Sequence, residues 1–269
     1  MDDKYSVLMS VYYKEKPEYL QQSIESILHQ TAPTDDFVLV CDGPLTPELD
    51  SVISKYATLH VVRLKENGGL GRALNEGMKH CQHDLIARMD SDDISRPDRC
   101  ERELRVFRDH PDVDIVSGTI EEFITSPEEV YSKRVLPETS AEIVQFAKKR
   151  NPCNHPAVMY RKSAVEAAGG YRDFYLLEDY FLWIRMLLKG CEGYNIQEPV
   201  LWMRAGSDLY KRRSGWKYVE SEKKLFSYML KEKFINRGEY TSAVLSRAAG
   251  AMVPNSVRSF LASITNLMG

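Results

Sequence analysis

The chain has 269 residues, 43% of them apolar, and a net charge of −3, enough to bury a sizeable core as one large domain or a domain with an appendage. Its five cysteines (Cys41, Cys81, Cys100, Cys153, Cys191) are scattered without a CxxC pair, which excludes a disulfide framework and predicts reduced thiols. The acidic start MDDKYSVLMSVYY lacks the features of a secretory leader, and no run approaches the roughly 20 apolar residues of a membrane span, so the expected location is the cytoplasm.

KYSVLMSVYY reads as a strand, and PEYLQQSIESILHQ as a helix with Leu20, Ile24, Ile27 and Leu28 on one face. DFVLVCDG, HVVRL and DLIARMD are further strands, separated by helical TPELDSVISKYA and LGRALNEGMKHC. This βαβαβαβ alternation predicts a parallel sheet covered on both faces. Ligands of such sheets collect at the carboxyl ends of the strands, where the loops SVYYKEKP, CDGP, KENGG and DSDD converge.

Beyond residue 100 the alternation weakens. RCERELRVFRDHP is helical, VDIVSGTIEEF and the region around VYSKRVLP are strands, and AEIVQFAKKR is a helix. NHPAVMYRK reads as a strand, SAVEAAGG as a short helix stopped by glycine, EDYFLWIRMLLKG as a strongly apolar helix and NIQEPVLWMRAG as a strand. A basic segment, YKRRSGWKY, leads into a part that is helical from about residue 215, with Val257, Phe260, Leu261, Ile264 and Leu267 on one face of the last helix.

Four loops carry the chemistry. Asp90, Asp92 and Asp93 follow a buried strand, where like charges repel unless a cation sits between them. Hard oxygen ligands without a complete protein cage suit Mg2+ or Mn2+ shared with a phosphate; a solvated turn, with Ser95 or Asp93 capping the next helix, is the competing reading. An EF-hand is excluded by Ile94, which stands where a further oxygen ligand is needed, and an aspartyl-phosphate nucleophile by the acids following the fourth strand rather than the first. Asp42 ends the second strand, either to accept from a pyrimidine imide or ribose hydroxyl, or as ordinary Asp-Gly-Pro turn chemistry. KENGGLGRALN opens a helix at a glycine-rich loop, which either binds an anion or serves the backbone; it lacks the GxGxxG pattern of dinucleotide-binding folds. Glu178 and Asp179 stand at a helix start, as cap and dipole partners or as working acids, and His155 begins a strand.

In order and spacing, VLMSVYYKEKPEYLQQSIESILHQT, FVLVCDGP, ENGGLGRALNEG, LIARMDSDDISRPDR, NPCNHPAVMYRKSAVEAAGGYRD and LEDYFLWIRML resemble family 2 glycosyltransferases, in particular bacterial enzymes of capsule, exopolysaccharide and O-antigen synthesis. The resemblance covers roughly residues 5–205, with DSDD and LEDYFLW its specific motifs. It implies an α/β GT-A fold, a mostly parallel central sheet flanked by helices with a C-terminal helical extension, divided as residues 1–210 and 211–269. It also implies inverting transfer from a nucleotide-sugar, a UDP-hexose by expectation, to a saccharide acceptor linked to polyprenyl diphosphate.

Carried onto this chain, the resemblance assigns nucleotide-sugar contacts to Ser10, Tyr12, Asp42, Asn67, Arg72, Asp90 and Ser91, a divalent metal (Mn2+ or Mg2+) to Asp92 and Asp90, and the general base to Asp179. Glu178, Trp183 and His155 would shape or support the acceptor side. One departure is Ser10-Val11-Tyr12-Tyr13 in place of the usual Pro-x-Tyr-Asn. The alternatives are a sugar nucleotidyltransferase, which would carry a glycine- and arginine-rich phosphate loop after the first strand, and a non-catalytic sugar-nucleotide-binding protein.

Charge is lopsided. Residues 211–269 hold 11 Lys and Arg against 4 Glu, a balance of +7 that leaves −10 for residues 1–210. The basic end either packs on the catalytic domain or meets anionic lipid through Lys211, Arg212, Arg213 and Lys217. Nucleic acid is not an expected partner, because base-stacking platforms are not interleaved with these charges.

Overall fold

The structure, a computed structural model, describes residues 4–205 and 216–252. The basic residues Lys211, Arg212 and Arg213 and the apolar set Val257, Phe260, Leu261, Ile264 and Leu267 therefore lie outside the described residues. The chain forms two compact units, one of residues up to 173 with 178–204, the other of 174–177 with residues from 205 onward.

The first unit starts with the alternation that the sequence predicts: β1 (Tyr5–Val11), α1 (Pro17–Leu28), β2 (Asp36–Cys41), α2 (Pro47–Ile53), β3 (Leu59–Arg63), α3 (Leu70–Met78) and β4 (Leu85–Asp90). After the two-residue β5 (Ile94–Ser95) come α4 (Arg99–Asp109), β6 (Val113–Phe123), β7 (Val130–Arg134) and α5 (Ser140–Ala147). A 3-10 turn (His155–Ala157), β8 (Val158–Arg161), α6 (Lys162–Ala167), α7 (Glu178–Leu188) and β9 (Glu192–Arg204) complete it.

Strands run in the order β3-β2-β1-β4-β8-β6-β9-β5, with β7 also paired to β6. The parallel reading holds from β3 to β4. Past β4 the sheet is mixed: β8 is antiparallel to both β4 and β6, whereas β9 is parallel to β6. The stretch read as one strand from Asn154 begins instead as the 3-10 turn, because Pro156 has no N–H to give a ladder.

β1 is apolar except for Ser6 and Ser10 because both of its faces are covered. Tyr5, Val7, Met9 and Val11 join Leu20, Ile24 and Ile27 of α1, Leu49 and Val52 of α2 and Phe107 of α4 in one buried cluster. Leu8 faces the other way and joins Leu74 and Met78 of α3, Val165 of α6 and Leu182, Trp183 and Met186 of α7. Local signals agree with these helices: Pro17 and Pro47 sit in first turns, Thr46 caps α2, and Thr139 with Glu142 forms a capping box on α5. The five cysteines are free, and four are buried.

The second unit contains α8 (Trp216–Lys231) and α9 (Arg237–Met252). Arg247 pairs with Glu222 at 2.8 Å and lies 4.2 Å from the Phe226 ring centre. Among the described residues, no helix is long and apolar enough to cross a membrane.

Helix α3 approaches the sheet closely at Gly77, where a Cβ would stand 2.4 Å from Leu8 Cδ1 and 2.6 Å from Val40 Cγ2. Gly77→Val should therefore lower stability by about 1–3 kcal/mol through overpacking, read as a lower urea midpoint at unchanged slope.

Candidate active site

Strand β4 ends at Asp90, which lies in register with Ser10 of β1. Arg88, two residues earlier, is among the largest fully buried side chains. Both of its terminal nitrogens donate to the Asp90 carboxylate, Nη1 to Oδ2 at 2.8 Å. A buried guanidinium needs such a partner, since an unpaired charge there is strongly destabilising. Arg88 is itself overlaid by Arg99, whose Nη2 donates to the Arg88 carbonyl at 2.7 Å and whose Nε pairs with Glu103 at 3.0 Å.

One carboxylate oxygen from each of Asp90, Asp92 and Asp93 lies within 4.8 Å of the others. Burial, then the neighbouring Asp90 and Glu15, pushes the Asp92 carboxyl up to about 7. Asp93 is buried and is pushed well above the usual carboxylate range by burial, then by Asp92 and Asp90. Its Oδ1 accepts from the Arg204 backbone N–H at 2.7 Å. Ser91 is also buried, and its hydroxyl donates to Glu15 Oε2 at 2.8 Å. Hard oxygen donors with crowded negative charge fit a divalent cation. Asp92 is the acid best suited to hold it, because the Asp90 carboxylate is engaged by Arg88 and Asp93 is turned into the protein.

At the end of β2, Asp42 is buried and accepts from Gly68 N at 2.8 Å, Gly69 N at 2.9 Å and Asn67 Nδ2 at 2.9 Å. Most of the accepting capacity of this carboxylate holds the glycine loop that opens α3. Asn67 is thus a loop anchor. Gly69 has φ +86°, a backbone conformation suited to glycine. Arg72, exposed, pairs with Glu66 at 3.1 Å. Tyr12 is exposed and meets Tyr13 edge-on at 5.8 Å between ring centres.

The second pair of acids opens α7. Asp179 Oδ2 accepts from Asn151 Nδ2 at 2.6 Å and its Oδ1 from the Tyr180 backbone N–H at 2.7 Å. Burial, then Asp179, pushes Glu178 up to about 7, and Arg88 and Asp90 also act on it. The two acid groups therefore share one electrostatic neighbourhood. A Cβ at Gly71 of α3 would stand 3.3 Å from Tyr171 Cβ and 4.0 Å from Glu178 Cβ, so the glycine loop and α7 meet there.

Two of these residues lie behind the site rather than at its surface. Trp183 does not line an open acceptor pocket; it is fully buried in the core beneath α7, 6.0 Å from the His155 ring and 6.3 Å from Tyr160. The period of α7 puts position 183 on its inward face. His155 is likewise buried, its Nε2 at 2.9 Å from the Tyr171 hydroxyl, and burial holds it well below 6.5, so it stands neutral behind the site. Sequence reasoning missed Glu15, Arg88, Asn151 and Arg204. Only Arg88 left a signal, a charge inside an apolar strand.

The family model "Glycosyl transferase family 2" matches residues 6–169. The chain belongs to glycosyltransferase family 2. It is an enzyme with the GT-A fold, which sets aside the nucleotidyltransferase and non-catalytic readings. Among family 2 relatives, the chain is 39% identical to the amylovoran biosynthesis glycosyltransferase AmsE of Erwinia amylovora, over 96% of this chain and 97% of that one. It is 37% identical to the UDP-Gal:alpha-D-GlcNAc-diphosphoundecaprenol beta-1,3-galactosyltransferase of Escherichia coli, over 96% and 94%. The mannosyltransferase PcManGT from Pyrobaculum calidifontis, solved with GDP-Man and Mn2+, shares the fold at TM-score 0.64 and 15% identity, over 98% of this chain and 80% of that one.

Asp92 and Glu178 hold protons more tightly in the folded glycosyltransferase than in the unfolded chain, where they ionise near 3.8 and 4.5. Stability of the metal-free protein should thus fall as pH rises from about 4 to about 7. Asp92→Asn should lessen that fall, so that the variant melts several degrees above wild type at pH 8 in EDTA while the two converge near pH 4.

Proposed function

We propose that this glycosyltransferase transfers a hexose with inversion from a UDP-sugar to a hydroxyl of a lipid-linked saccharide, in the assembly of a bacterial surface polysaccharide. The observation that carries the reading is the meeting of two acid groups at one sheet edge, Asp90 and Asp92 below the donor loops and Asp179 at the start of α7, with Glu178 responding to both Arg88 and Asp90. The UDP-Gal donor and diphosphoundecaprenol acceptor named for the Escherichia coli relative support the substrate classes. The amylovoran relative supports the pathway class.

In this reading the nucleotide lies across the carboxyl ends of β1, β2 and β4. Tyr12 offers an exposed ring to the base, Ser10 lines the same pocket, Asp42 meets the base through its remaining accepting capacity, and Arg72 swings from Glu66 to the nucleotide. Asp90, fixed by Arg88, accepts from ribose, and Ser91 ties the loop to Glu15. Asp92 would hold a divalent cation, Mn2+ or Mg2+, which when bound offsets negative charge on the departing diphosphate; the Mn2+ in the mannosyltransferase complex supports this assignment.

Asp179 takes the proton from the attacking acceptor hydroxyl, on the face of the sugar opposite the diphosphate. Asn151 fixes its carboxylate in direction, which leaves the other lone pair of Oδ2 for the acceptor. A base of this kind contributes about 10²–10⁴-fold. Glu178, with its pKa near 7, limits the negative charge beside Asp179 at neutral pH.

The division into a catalytic part, residues 1–210, and a basic extension, residues 211–269, gives the extension a role at the lipid surface. Trp216 is 80% exposed, and Lys217 Nζ lies 4.1 Å from the centre of the half-exposed Tyr175 ring. Interfacial aromatics beside basic residues are the chemistry of a peripheral membrane contact.

In wild type, UDP-sugars should raise the melting temperature only when Mn2+ is present; Asp179→Asn should keep that shift while turnover falls about 10²–10⁴-fold. Near-normal turnover removes Asp179 as the base, and a metal-independent shift removes the role of Asp92. Wild type should also co-sediment with phosphatidylglycerol vesicles in a salt-sensitive way and not with phosphatidylcholine; Trp216→Ala should weaken that binding.

A further inference from the structure

Arg204 is the last residue of β9, and it holds the acid loop from the side opposite Arg88. Its backbone N–H donates to Asp93 Oδ1 at 2.7 Å, its Nε to the Asp92 carbonyl oxygen at 3.0 Å, and its Nη2 to Gln22 Oε1 of α1 at 2.7 Å. Its guanidinium also lies 3.8 Å from the Tyr19 ring centre and 4.6 Å from that of Phe123. Neither hydrogen bond from the guanidinium goes to a carboxylate, so its charge is not spent on one counter-ion. It reaches two neutral acceptors in different directions while its plane packs against aromatic rings, a combination that the point charge of a lysine does not reproduce.

The acid loop needs such an anchor. Three carboxylates with oxygens within 4.8 Å of one another repel and tend to splay the loop. Arg88 restrains Asp90, but no part of Asp92 is restrained by Arg88. Arg204 holds the backbone of Asp92 directly and the side chain of Asp93 next to it, and α1 holds Arg204 through Gln22.

We propose that the Arg204 guanidinium is a positioning group for the acid loop, which keeps the Asp92 carboxylate aimed at the donor side through its Nε bond to the Asp92 carbonyl, while the backbone N–H of the same residue holds Asp93 Oδ1 whatever the side chain. This rests on the donor reading given above. It goes beyond that reading in making metal-dependent donor affinity a property of the end of β9 and of α1 as well as of the acid loop.

Calorimetry of UDP binding, with and without Mn2+, on wild type, Arg204→Lys and Gln22→Ala tests it. Arg204→Lys should weaken Mn2+-dependent UDP binding by about 10-fold or more and leave binding in EDTA within twofold. Gln22→Ala should act in the same direction and more weakly, and the double variant should be no worse than Arg204→Lys alone, since the two residues act as one unit. In the metal-free protein, amide hydrogen exchange of residues 91–95 should rise in Arg204→Lys while the rest of β4 is unchanged. Equal loss with and without Mn2+, or Mn2+-dependent affinity within twofold of wild type in both single variants, overturns the inference and leaves the donor reading standing. Absence of Mn2+-dependent UDP binding in wild type overturns both.

Discussion

The structure depends on a buried positive charge at the end of β4. Arg88 is fully enclosed, and the only side chain that accepts its hydrogen bonds is Asp90, where the strand emerges into the loop. A guanidinium in that position demands a carboxylate, and a bidentate pair fixes that carboxylate in direction as well as distance. The first acid of DSDD is therefore held before any ligand arrives. The same charge reaches Glu178, His155 and Tyr171: burial raises Glu178 and Tyr171 and Arg88 opposes that rise, whereas at His155 Arg88 adds to the burial that keeps the imidazole neutral. One residue thus bears on both halves of the site.

Around that pair the acids divide their work by burial. Asp93 is enclosed and tied to the end of β9, Asp90 is neutralised by Arg88, and Asp92 is left with a proton affinity raised by its neighbours. The crowding of Asp92 opposes stability at neutral pH and favours a bound cation by the same repulsion. A similar division holds at α7, where Asn151 orients Asp179 and Glu178 carries the shifted affinity.

Much of this was legible in the chain. The strands through β4 announce themselves because both faces are buried, and DSDD and LEDYFLW carry the family by spacing. What escaped was what depends on distant partners. Asp42 was found by its place at a strand end, but its engagement with Asn67, Gly68 and Gly69 depends on how the next βα loop folds back. Trp183 and His155 look like site residues beside acids and prolines, and only packing shows that they form the wall behind it. Arg204 contacts residues 111 and 112 positions away, and β5 has two residues; neither leaves a local pattern. The mixed second half of the sheet follows from return connections that periodicity does not encode.

Gly71 has a consequence for acceptor chemistry. It stands where α3 faces Tyr171 and Glu178; a Cβ there would be tight against Tyr171 Cβ at 3.3 Å and in ordinary contact with Glu178 Cβ at 4.0 Å. The close approach of α3 to the start of α7, with Glu178 and Asp179, thus favours the smallest residue at position 71. A larger side chain at this point would act as a spacer, pressing on Tyr171 and on Glu178 without replacing either. The width of the cleft between these two helices is in this fold a matter of backbone spacing as well as of side-chain lining.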